Sequence, residues 1–237
     1  MQASVPSNFE DMTKQPARVR KMFGSIARRY DLANHLLSCG IDSFWRWHAA
    51  EIVADWQPHR VADLATGTGD LALALQKQLP DADIVGVDVL QEMLDLAQRK
   101  GVRKVVLADA LSLPFGDASF DCVTIAFGLR NLENWAAALA EMFRVLKPDG
   151  HLLVLEFSLP KIPILRTIYR FYLHRCLPLL GSFLTGTKSA YDYLGDSIEE
   201  FPGDSEMCEL MAKNGFAHTA FEPLTGGIVT IYMAQKS

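Results

Sequence analysis

Val61-Ala62-Asp63-Leu64-Ala65-Thr66-Gly67-Thr68-Gly69-Asp70 is the stretch that decides the fold, because an apolar run is followed at once by a glycine-rich turn. This order is typical of the first strand, loop and helix of a parallel α/β sheet. Val85-Gly86-Val87-Asp88 and Leu107-Ala108-Asp109-Ala110 also predict strands that end at a carboxylate. Ligands of such sheets bind outside the carboxyl ends of the strands. The sequence therefore predicts a site for a nucleoside-like cofactor.

The turn after the first predicted strand is built from small residues. Ala65, Gly67 and Gly69 allow a sharp change of chain direction and leave the backbone accessible to a ligand. Asp88 follows Gly67 by 21 residues. This is close to the spacing of about 20 residues at which a carboxylate at the end of the second strand binds ribose hydroxyls. Gly67 and Asp88 are therefore predicted to bind the cofactor.

Two kinds of cofactor fit this loop. Gly67-Thr68-Gly69-Asp70-Leu71-Ala72 also matches the G-x-G-x-x-G/A pattern of dinucleotide-binding proteins, so NAD stays open as the alternative. S-adenosyl-L-methionine is favoured, because Asp70 at a helix N-terminus would repel a pyrophosphate but would tolerate a cationic sulfonium compound. Asp109 and Ala110 place a further carboxylate at the end of the third strand, where an adenine amino group could lie.

Composition limits the class of protein. The chain has 237 residues, 49% of them hydrophobic and 22% charged, which favours one large soluble domain. A formal charge of −5 argues against a non-specific nucleic-acid binder, which would carry a basic stripe. Cys39, Cys122, Cys176 and Cys208 match no metal-ligand or disulfide spacing, so no metal is predicted and a reducing cytoplasm is expected. Neither a secretory signal nor a membrane-spanning stretch is visible.

The order of predicted elements indicates an α/β fold. Residues 1–16 are predicted to form a flexible N-terminal arm, and residues 17–237 a single domain that begins with a helical lid. The alternation that follows predicts a mostly parallel seven-stranded sheet with helices on both faces and an antiparallel C-terminal hairpin. The predicted strands are 60–65, 83–88, 103–108, 120–127, 151–157, 216–222 and 228–235, and the predicted helices are 70–79, 91–100, 134–146 and 204–213.

Residues 161–184 interrupt this alternation. Apolar residues recur there at helical spacing, and Arg166, Arg170 and His174 lie on another face. A basic amphipathic helix can lie in the interface of a bilayer, and it can equally cover the sheet or the active site. Both interpretations are kept: the segment packs on the core, or it makes peripheral contact with the cytoplasmic face of a membrane.

Several motifs together resemble one family of methyltransferases with the class I fold. They are Tyr30-Asp31-x-x-Asn34-x-x-Leu37-Ser38, Phe127-Gly128-Leu129-Arg130-Asn131, Arg144-Val145-Leu146-Lys147-Pro148-x-Gly150 and Glu156-Phe157-Ser158. Over residues 17–236 the chain is similar to the ubiquinone/menaquinone biosynthesis C-methyltransferases of the UbiE/MenG type. The resemblance implies that S-adenosylmethionine is the cofactor and that a polyprenyl quinol, either demethylmenaquinol or a methoxy-polyprenyl-benzoquinol or both, receives the methyl group. The cofactor contacts that it implies are Thr68, Asp88, Asp109 and Ala110.

Four positions depart from the usual residues of that family. Met, His and Gly are common where this chain has Ala33, Asp42 and Asp149. These three departures bear on the details of substrate binding and on the geometry of loops. Ala126 stands where many members have serine. The matching serine is a cofactor contact in part of the family, whereas alanine has no hydroxyl to offer.

The implied reaction places a demand on the site. A quinol carbon becomes nucleophilic when the adjacent hydroxyl loses its proton, so the enzyme must stabilise an oxyanion. Arg130 and Asn131 are the predicted catalytic residues, because they follow the apolar strand that runs from Cys122 to Phe127 and emerge at its carboxyl end. The general base is left unassigned, and Tyr191 and Tyr193 are candidates for the wall of the substrate pocket.

Two alternatives remain beside the methyltransferase. An NAD-dependent oxidoreductase is supported by the glycine pattern and Asp88, and a non-catalytic quinone-biosynthesis scaffold would keep the fold without the chemistry. Arg130 and Asn131 argue against the scaffold. The sequence does not decide the quinol ring, the isoprenoid length or the oligomeric state, for which a homodimer is one of the arrangements considered.

Overall fold

The structure is a computed structural model that describes Ser38, residues 40–179 and residues 188–237. The helices are α1 (Ile41–Asp55), α2 (Asp70–Gln78), α3 (Gln91–Lys100), α4 (Trp135–Val145), α5 (Pro163–Phe171), α6 (Lys188–Glu200) and α7 (Asp204–Lys213). The strands are β1 (Arg60–Leu64), β2 (Asp83–Asp88), β3 (Lys104–Leu107), β4 (Phe120–Ala126), β5 (Leu146–Phe157), β6 (Phe216–Leu224) and β7 (Val229–Lys236). Short helical turns at Leu129–Asn131 and Tyr172–Cys176 follow β4 and α5.

Within the described residues, seven strands form one sheet in the order β3-β2-β1-β4-β5-β7-β6. Neighbours among β1 to β5 are parallel, whereas β7 pairs antiparallel with β5 and β6 pairs antiparallel with β7. The chain winds outward from β1 to β3 and then returns to place β4 on the other side of β1. In such a sheet a ligand crevice opens where the strand order reverses. The predicted sheet with its C-terminal hairpin is confirmed.

Helices cover both faces of this sheet, which explains why its central strands read as apolar runs. One core cluster joins β1 and β4 to apolar residues of α4 and α7, and another joins them to α1, α2 and α3. Val61 belongs to the second cluster, and its neighbour Ala62 belongs to the first, because successive side chains of a strand point to opposite faces. A strand that is buried on both sides cannot alternate between apolar and polar residues.

The predicted element bounds agree closely with the structure, with β5 as the main difference. The helices predicted at 91–100 and 204–213 have these bounds in the structure. Strand β5 was predicted to start at residue 151 after a turn, but it starts at Leu146 and contains an irregularity in its pairing with β4. Asp149 has a left-handed φ of 62° at this point, which is why the segment resembles a turn in the sequence.

Helix α6 is absent from the sequence prediction, which left residues 188–200 without secondary structure. Gly195 lies in the middle of this helix, where glycine lowers the helical propensity. A Cβ at Gly195 would come within 3.3 Å of the His174 ring, so the glycine permits close packing of α6 on the turn after α5. The tertiary contact therefore outweighs the local propensity.

Side-chain hydrogen bonds join helix α1 to the C-terminal hairpin, and one of them links His48 Nε2 and Glu222 Oε1 over 2.9 Å. The indole Nε1 of Trp45 donates to Thr225 Oγ1 over 2.8 Å, and Thr225 lies in the loop between β6 and β7. Trp45 is buried among aromatic rings, with Phe127 and Phe157 at centroid distances of 6.2 Å each. The described part of the predicted lid is therefore fixed against the sheet. The predicted arm, residues 1–16, lies outside the described residues.

Candidate active site at the carboxyl ends of the strands

A cavity of about 190 Å³ opens at the carboxyl ends of β1 to β4. The segments that follow these four strands supply most of its lining, and α1 adds Arg46. All five residues predicted to bind the cofactor, Gly67, Thr68, Asp88, Asp109 and Ala110, line this cavity. The topology therefore brings together residues that are far apart in the sequence.

The turn after β1 exposes its backbone to the cavity. Gly67 has a φ of 56°, and a Cβ at this position would meet nothing within 4 Å. Gly69, with a φ of 86°, has the opposite environment, because a Cβ there would come 2.4 Å from a methyl carbon of Val102. Gly67 thus leaves room for a ligand, and Gly69 allows the start of α2 to pack closely on α3 and on Val102, which precedes β3. Ala65 also has a positive φ, 47°, so the turn is strained where it borders the cavity.

Asp88 is held in place by the backbone on both sides. Its Oδ2 accepts a hydrogen bond from the Gly67 amide and its Oδ1 accepts one from the Leu90 amide, each over 2.9 Å. Burial raises the pKa of the carboxyl, and the backbone hydrogen bonds oppose that rise. These contacts fix the carboxylate between two turns that line the cavity, at the position that the sequence predicts for the ribose contact.

Asp63 is a second buried carboxylate in the cavity lining. It accepts hydrogen bonds from Thr66 Oγ1 over 2.6 Å and from Thr124 Oγ1 over 2.8 Å. Burial raises its pKa to about 6, although the two hydroxyls and the charge of Arg46 act in the opposite direction. A cationic ligand in the cavity would favour the ionised form of this group.

Asp70 at the start of α2 is paired with a lysine. Lys100 Nζ lies 2.6 Å from Asp70 Oδ1 and donates to Thr68 Oγ1 over 2.9 Å. Lys100 therefore offsets the negative charge of Asp70 at this helix N-terminus. Lys100 comes from α3, thirty positions along the chain, and no local pattern indicates the contact. The preference for a sulfonium cofactor depends on the other carboxylates.

The wall of the cavity after β3 is tied to α4. Asp109 Oδ1 accepts a hydrogen bond from the Leu111 amide over 3.0 Å and so closes the turn that carries Ala110. Further along, the Leu113 amide donates to Glu141 over 2.7 Å. Arg144 donates to the Phe115 carbonyl over 2.8 Å and is paired with the same glutamate. Arg144 is the first residue of the motif Arg144-Val145-Leu146-Lys147-Pro148-x-Gly150. Its contacts connect this motif to the segment that follows β3.

The turn after β4 separates the two predicted catalytic residues. Asn131 lines the cavity, and its Nδ2 donates to the Phe127 carbonyl over 3.3 Å. Arg130 does not line the cavity: its guanidinium donates to the same carbonyl over 2.6 Å and is paired with Glu156. The side chains of Arg130 and Glu156 are 2% and 0% exposed. Arg130 therefore stabilises the turn after β4 without contacting the cavity.

Arg46 is a cavity residue that the sequence analysis missed. Among the described residues that line the cavity, it is the one with a positive charge. Its guanidinium pairs with Asp42, which is buried, and its Cζ lies 5.1 Å from the centroid of the Phe127 ring. The signal was the sequence Trp45-Arg46-Trp47, a cation between two aromatic residues in the predicted lid. Glu156 was also missed as a partner of Arg130, although it belongs to a quoted motif.

The tyrosines predicted to wall the substrate pocket are only partly described. Tyr193 lies on α6, does not line this cavity and has a pKa raised by burial. The side chain of Tyr191 lies outside the described residues. In the described part of the chain no cluster of three or more His, Cys, Asp or Glu could hold a metal ion.

The arrangement matches a known class of fold. A SAM-dependent methyltransferase from Thermotoga maritima superimposes with a TM-score of 0.65 at 20% identity, covering 91% of this chain and all of that one. The fold is that of the class I S-adenosylmethionine-dependent methyltransferases.

The family follows from the sequence comparisons. A demethylmenaquinone methyltransferase from Thermus thermophilus is 45% identical over 220 residues, which cover 91% of this chain and 100% of the relative. A UbiE C-methyltransferase of ubiquinone/menaquinone biosynthesis from Geotalea uraniireducens is 42% identical over 233 residues, 95% and 99% of the two chains. The model of the ubiE/COQ5 methyltransferase family matches residues 11–236. The chain belongs to this family, and the resemblance identified from its motifs is confirmed.

Proposed function

We propose that this protein transfers the methyl group of S-adenosylmethionine to a ring carbon of a reduced polyprenyl quinol in quinone biosynthesis. The observation that supports this most directly is the carboxylate-lined cavity at the strand ends of a chain that belongs to the ubiE/COQ5 family. The names of the relatives favour demethylmenaquinol as the substrate, with a methoxy-polyprenyl-benzoquinol as the second candidate. The comparisons give no support to an NAD-dependent oxidoreductase.

The residues present fit this cofactor. The exposed backbone at Gly67 leaves open space, and the buried carboxylates of Asp63 and Asp88 suit a ligand with hydroxyl and cationic groups. When bound, S-adenosylmethionine supplies a methyl group on a positively charged sulfur. The residues that would hold it are Gly67, Thr68, Asp88, Asp109 and Ala110, as the sequence predicts. Ala126 also lines the cavity and offers no hydroxyl, so the backbone of this segment would have to supply any contact there.

The substrate side of the site must activate a ring carbon. Loss of the proton from a quinol hydroxyl pushes electron density onto the ring, so a positive charge near that oxygen lowers the barrier. Arg46 is paired with Asp42 but borders the cavity and can supply this charge, whereas Arg130 does not line the cavity and is paired with Glu156. We therefore assign the electrostatic role to Arg46 and retain Asn131 as the polar contact. Arg130 becomes a residue that positions the Phe127–Asn131 turn.

An assay with two rings tests the proposed function. The protein is incubated with labelled S-adenosylmethionine and either a short-chain demethylnaphthoquinol or the matching benzoquinol, both kept reduced. Label in a ring carbon of one or both products is expected, and no labelled product with either ring contradicts the proposal. Titration with S-adenosylhomocysteine and with NAD provides the binding control, in which only the former should bind. Binding without transfer would favour the non-catalytic scaffold.

We also propose that the protein docks on a membrane through the segment predicted for this role, residues 161–184, of which the structure describes 161–179. Helix α5 and the residues around it bury Tyr169, Leu173 and Leu177 but leave other large apolar side chains exposed. The exposed set, here called the α5 apolar face, is Ile162, Ile164, Ile168, Phe171 and Leu179. A polyprenyl substrate dissolves in the bilayer, so an apolar face of this kind would bring the enzyme to its substrate.

Arg166 and Arg170 of this segment have partners in the protein. Arg170 forms a bidentate ion pair with Glu199, and Arg166 Nε donates to the Pro160 carbonyl over 2.8 Å. The apolar side chains are therefore the stronger candidates for lipid contact. In the described part of the chain, no helix is long and apolar enough to cross a bilayer. The proposal is thus for contact at the surface of the membrane.

Vesicle co-sedimentation tests this docking. Ile164→Glu with Ile168→Glu should abolish binding to vesicles, because two charges would enter the lipid interface. Leu107→Glu provides a matched control, since Leu107 is also an exposed apolar residue but lies on β3. Equal vesicle binding by the wild type and the double variant would contradict the proposal.

A further inference from the structure

The orientation of the Asn131 amide is fixed by its neighbour. Its Nδ2 donates to the Phe127 carbonyl, and a carbonyl can only accept, so the nitrogen must face that oxygen. The same carbonyl accepts a hydrogen bond from Arg130, which Glu156 holds in a buried ion pair. The backbone amide of Arg130 also donates to Glu156, over 3.2 Å. The Asn131 amide is therefore attached to a rigid turn.

This leaves the Asn131 oxygen as the free end of the amide. In the part of the chain that the structure describes, Oδ1 is buried and accepts no hydrogen bond. A buried acceptor without a donor is unfavourable. A ligand hydroxyl that reaches it forms a hydrogen bond that water does not provide there, and this bond favours binding. Since Asn131 borders the cavity, the missing donor can come from a bound molecule.

We propose that Asn131 Oδ1 accepts a hydrogen bond from a ring hydroxyl of the substrate and so makes the site selective for the reduced quinol over the oxidised quinone. This inference rests on the proposed function and adds a specificity determinant to it. A quinol carries O–H donors, whereas a quinone carries carbonyl oxygens that can only accept. A quinone would therefore place one acceptor against another, which costs binding energy.

Other acceptors in the cavity are less suited to this role. Asp88 and Asp63 each accept at least two hydrogen bonds from the protein, and Glu133 is exposed at the rim. Their carboxylates also favour a cationic ligand, whereas a neutral amide oxygen does not compete for the sulfonium charge. Selection of the ring by Asn131 and binding of the cofactor by the carboxylates can thus operate separately.

Binding measurements with paired ligands test the inference. Affinities are measured with S-adenosylhomocysteine present, for a short-chain demethylnaphthoquinol against its quinone, and for a prenylated naphthol against its methyl ether. The second pair differs by one O–H and avoids redox cycling. The wild type should prefer the hydroxyl-bearing member of each pair by roughly 10- to 100-fold. Asn131→Ala should lose about tenfold or more of this preference.

A matched control separates this role from a structural one. Asn214 Nδ2 donates to the Leu210 carbonyl at the end of α7, with the same four-residue spacing as the Asn131 bond. Asn214→Ala should keep the wild-type preference. The inference is overturned if Asn131→Ala keeps the preference, or if it weakens both members of a pair equally. A wild type that methylates neither ring would overturn the proposed function, whereas a wild type that methylates the quinol while Asn131→Ala still rejects the quinone would overturn this inference alone.

Discussion

Arg130 and Glu156 form an ion pair that is almost completely removed from water, with Glu156 at the end of β5 and Arg130 in the turn after β4. Glu156 also accepts hydrogen bonds from the backbone amides of Arg130 and Phe157. The pair therefore connects the carboxyl ends of β4 and β5 next to the cavity. Arg130, which the sequence predicts to be catalytic, thus stabilises the turn after β4 in this structure.

Removing one partner of this pair should strongly destabilise the fold. Glu156→Ala leaves the buried guanidinium without its countercharge, and the expected loss of unfolding free energy is about 3–5 kcal/mol. Urea denaturation measures it. The control is Asp117→Ala, which removes an exposed partner of Arg144 and should cost about 1 kcal/mol or less. Similar small losses for both variants would mean that the pair does not hold the turn.

Removal of the Asp88 carboxylate should weaken cofactor binding. Asp88→Ala leaves the Gly67 and Leu90 amides without their acceptor and removes the predicted ribose contact. The Kd for S-adenosylhomocysteine should rise at least tenfold. Calorimetry measures the Kd, and the thermal midpoint shows whether the variant is folded. A folded variant with unchanged affinity would show that the cofactor does not use this carboxylate.

Substitution of Arg46 should lower turnover more than cofactor binding. Arg46→Gln removes the positive charge that we assign to the developing oxyanion, and kcat is expected to fall by about 100-fold. The Kd for S-adenosylhomocysteine should change little. Arg60→Gln is the matched control, because Arg60 also lies over a phenylalanine ring, Phe120, but at the amino end of β1. An unchanged kcat in Arg46→Gln would show that Arg46 does not stabilise the oxyanion.

Cofactor affinity should depend on pH through Asp63. Its pKa in the free protein is raised to about 6, and a cationic ligand prefers the ionised carboxylate. Binding of S-adenosylmethionine should therefore weaken as the pH falls from 7.5 to 5. Asp63→Asn has no charge to lose and should show a smaller pH dependence. A wild-type Kd that stays constant over this range would contradict the assignment.

The same group should affect stability in the opposite direction. The pKa of Asp63 is higher in the folded protein than the value of about 4 in an unfolded chain, so the folded state holds the proton more tightly. Its contribution to stability is present below pH 4 and is lost as the pH rises through 6. The difference in unfolding free energy between the wild type and Asp63→Asn should therefore shift against the wild type across this window. Denaturation at pH 4, 5 and 6.5 measures it.

Replacement of Asp149 by glycine should stabilise the protein. Asp149 is exposed and has a φ of 62°, where a Cβ is unfavourable and glycine is tolerated. A gain of roughly 0.5–1 kcal/mol is expected for Asp149→Gly. Asp81→Gly is the control, because Asp81 is exposed without a positive φ and should gain nothing. A loss of stability in Asp149→Gly would mean that the aspartate side chain contributes to this bend.

The sequence predicts the sheet and the cofactor side of the site because both depend on local patterns. Apolar runs that end at Asp63 and Asp88 define the strands and also the edge where these side chains meet. Contacts between distant positions are different. The pairing of Lys100 with Asp70 and that of Arg130 with Glu156 join elements that the pattern treats separately. The sequence shows that Arg130 lies in a turn after a strand, but it does not show that its guanidinium faces Glu156 and not the cavity.

The bond between Trp45 and Thr225 connects the helix that carries Arg46 to a loop near the end of the chain. Sequence changes in this distal loop can therefore be transmitted to the electrostatics of methyl transfer. Substitutions at Thr225 should therefore be checked for kinetic as well as thermal effects, since this loop supports the helix that carries Arg46.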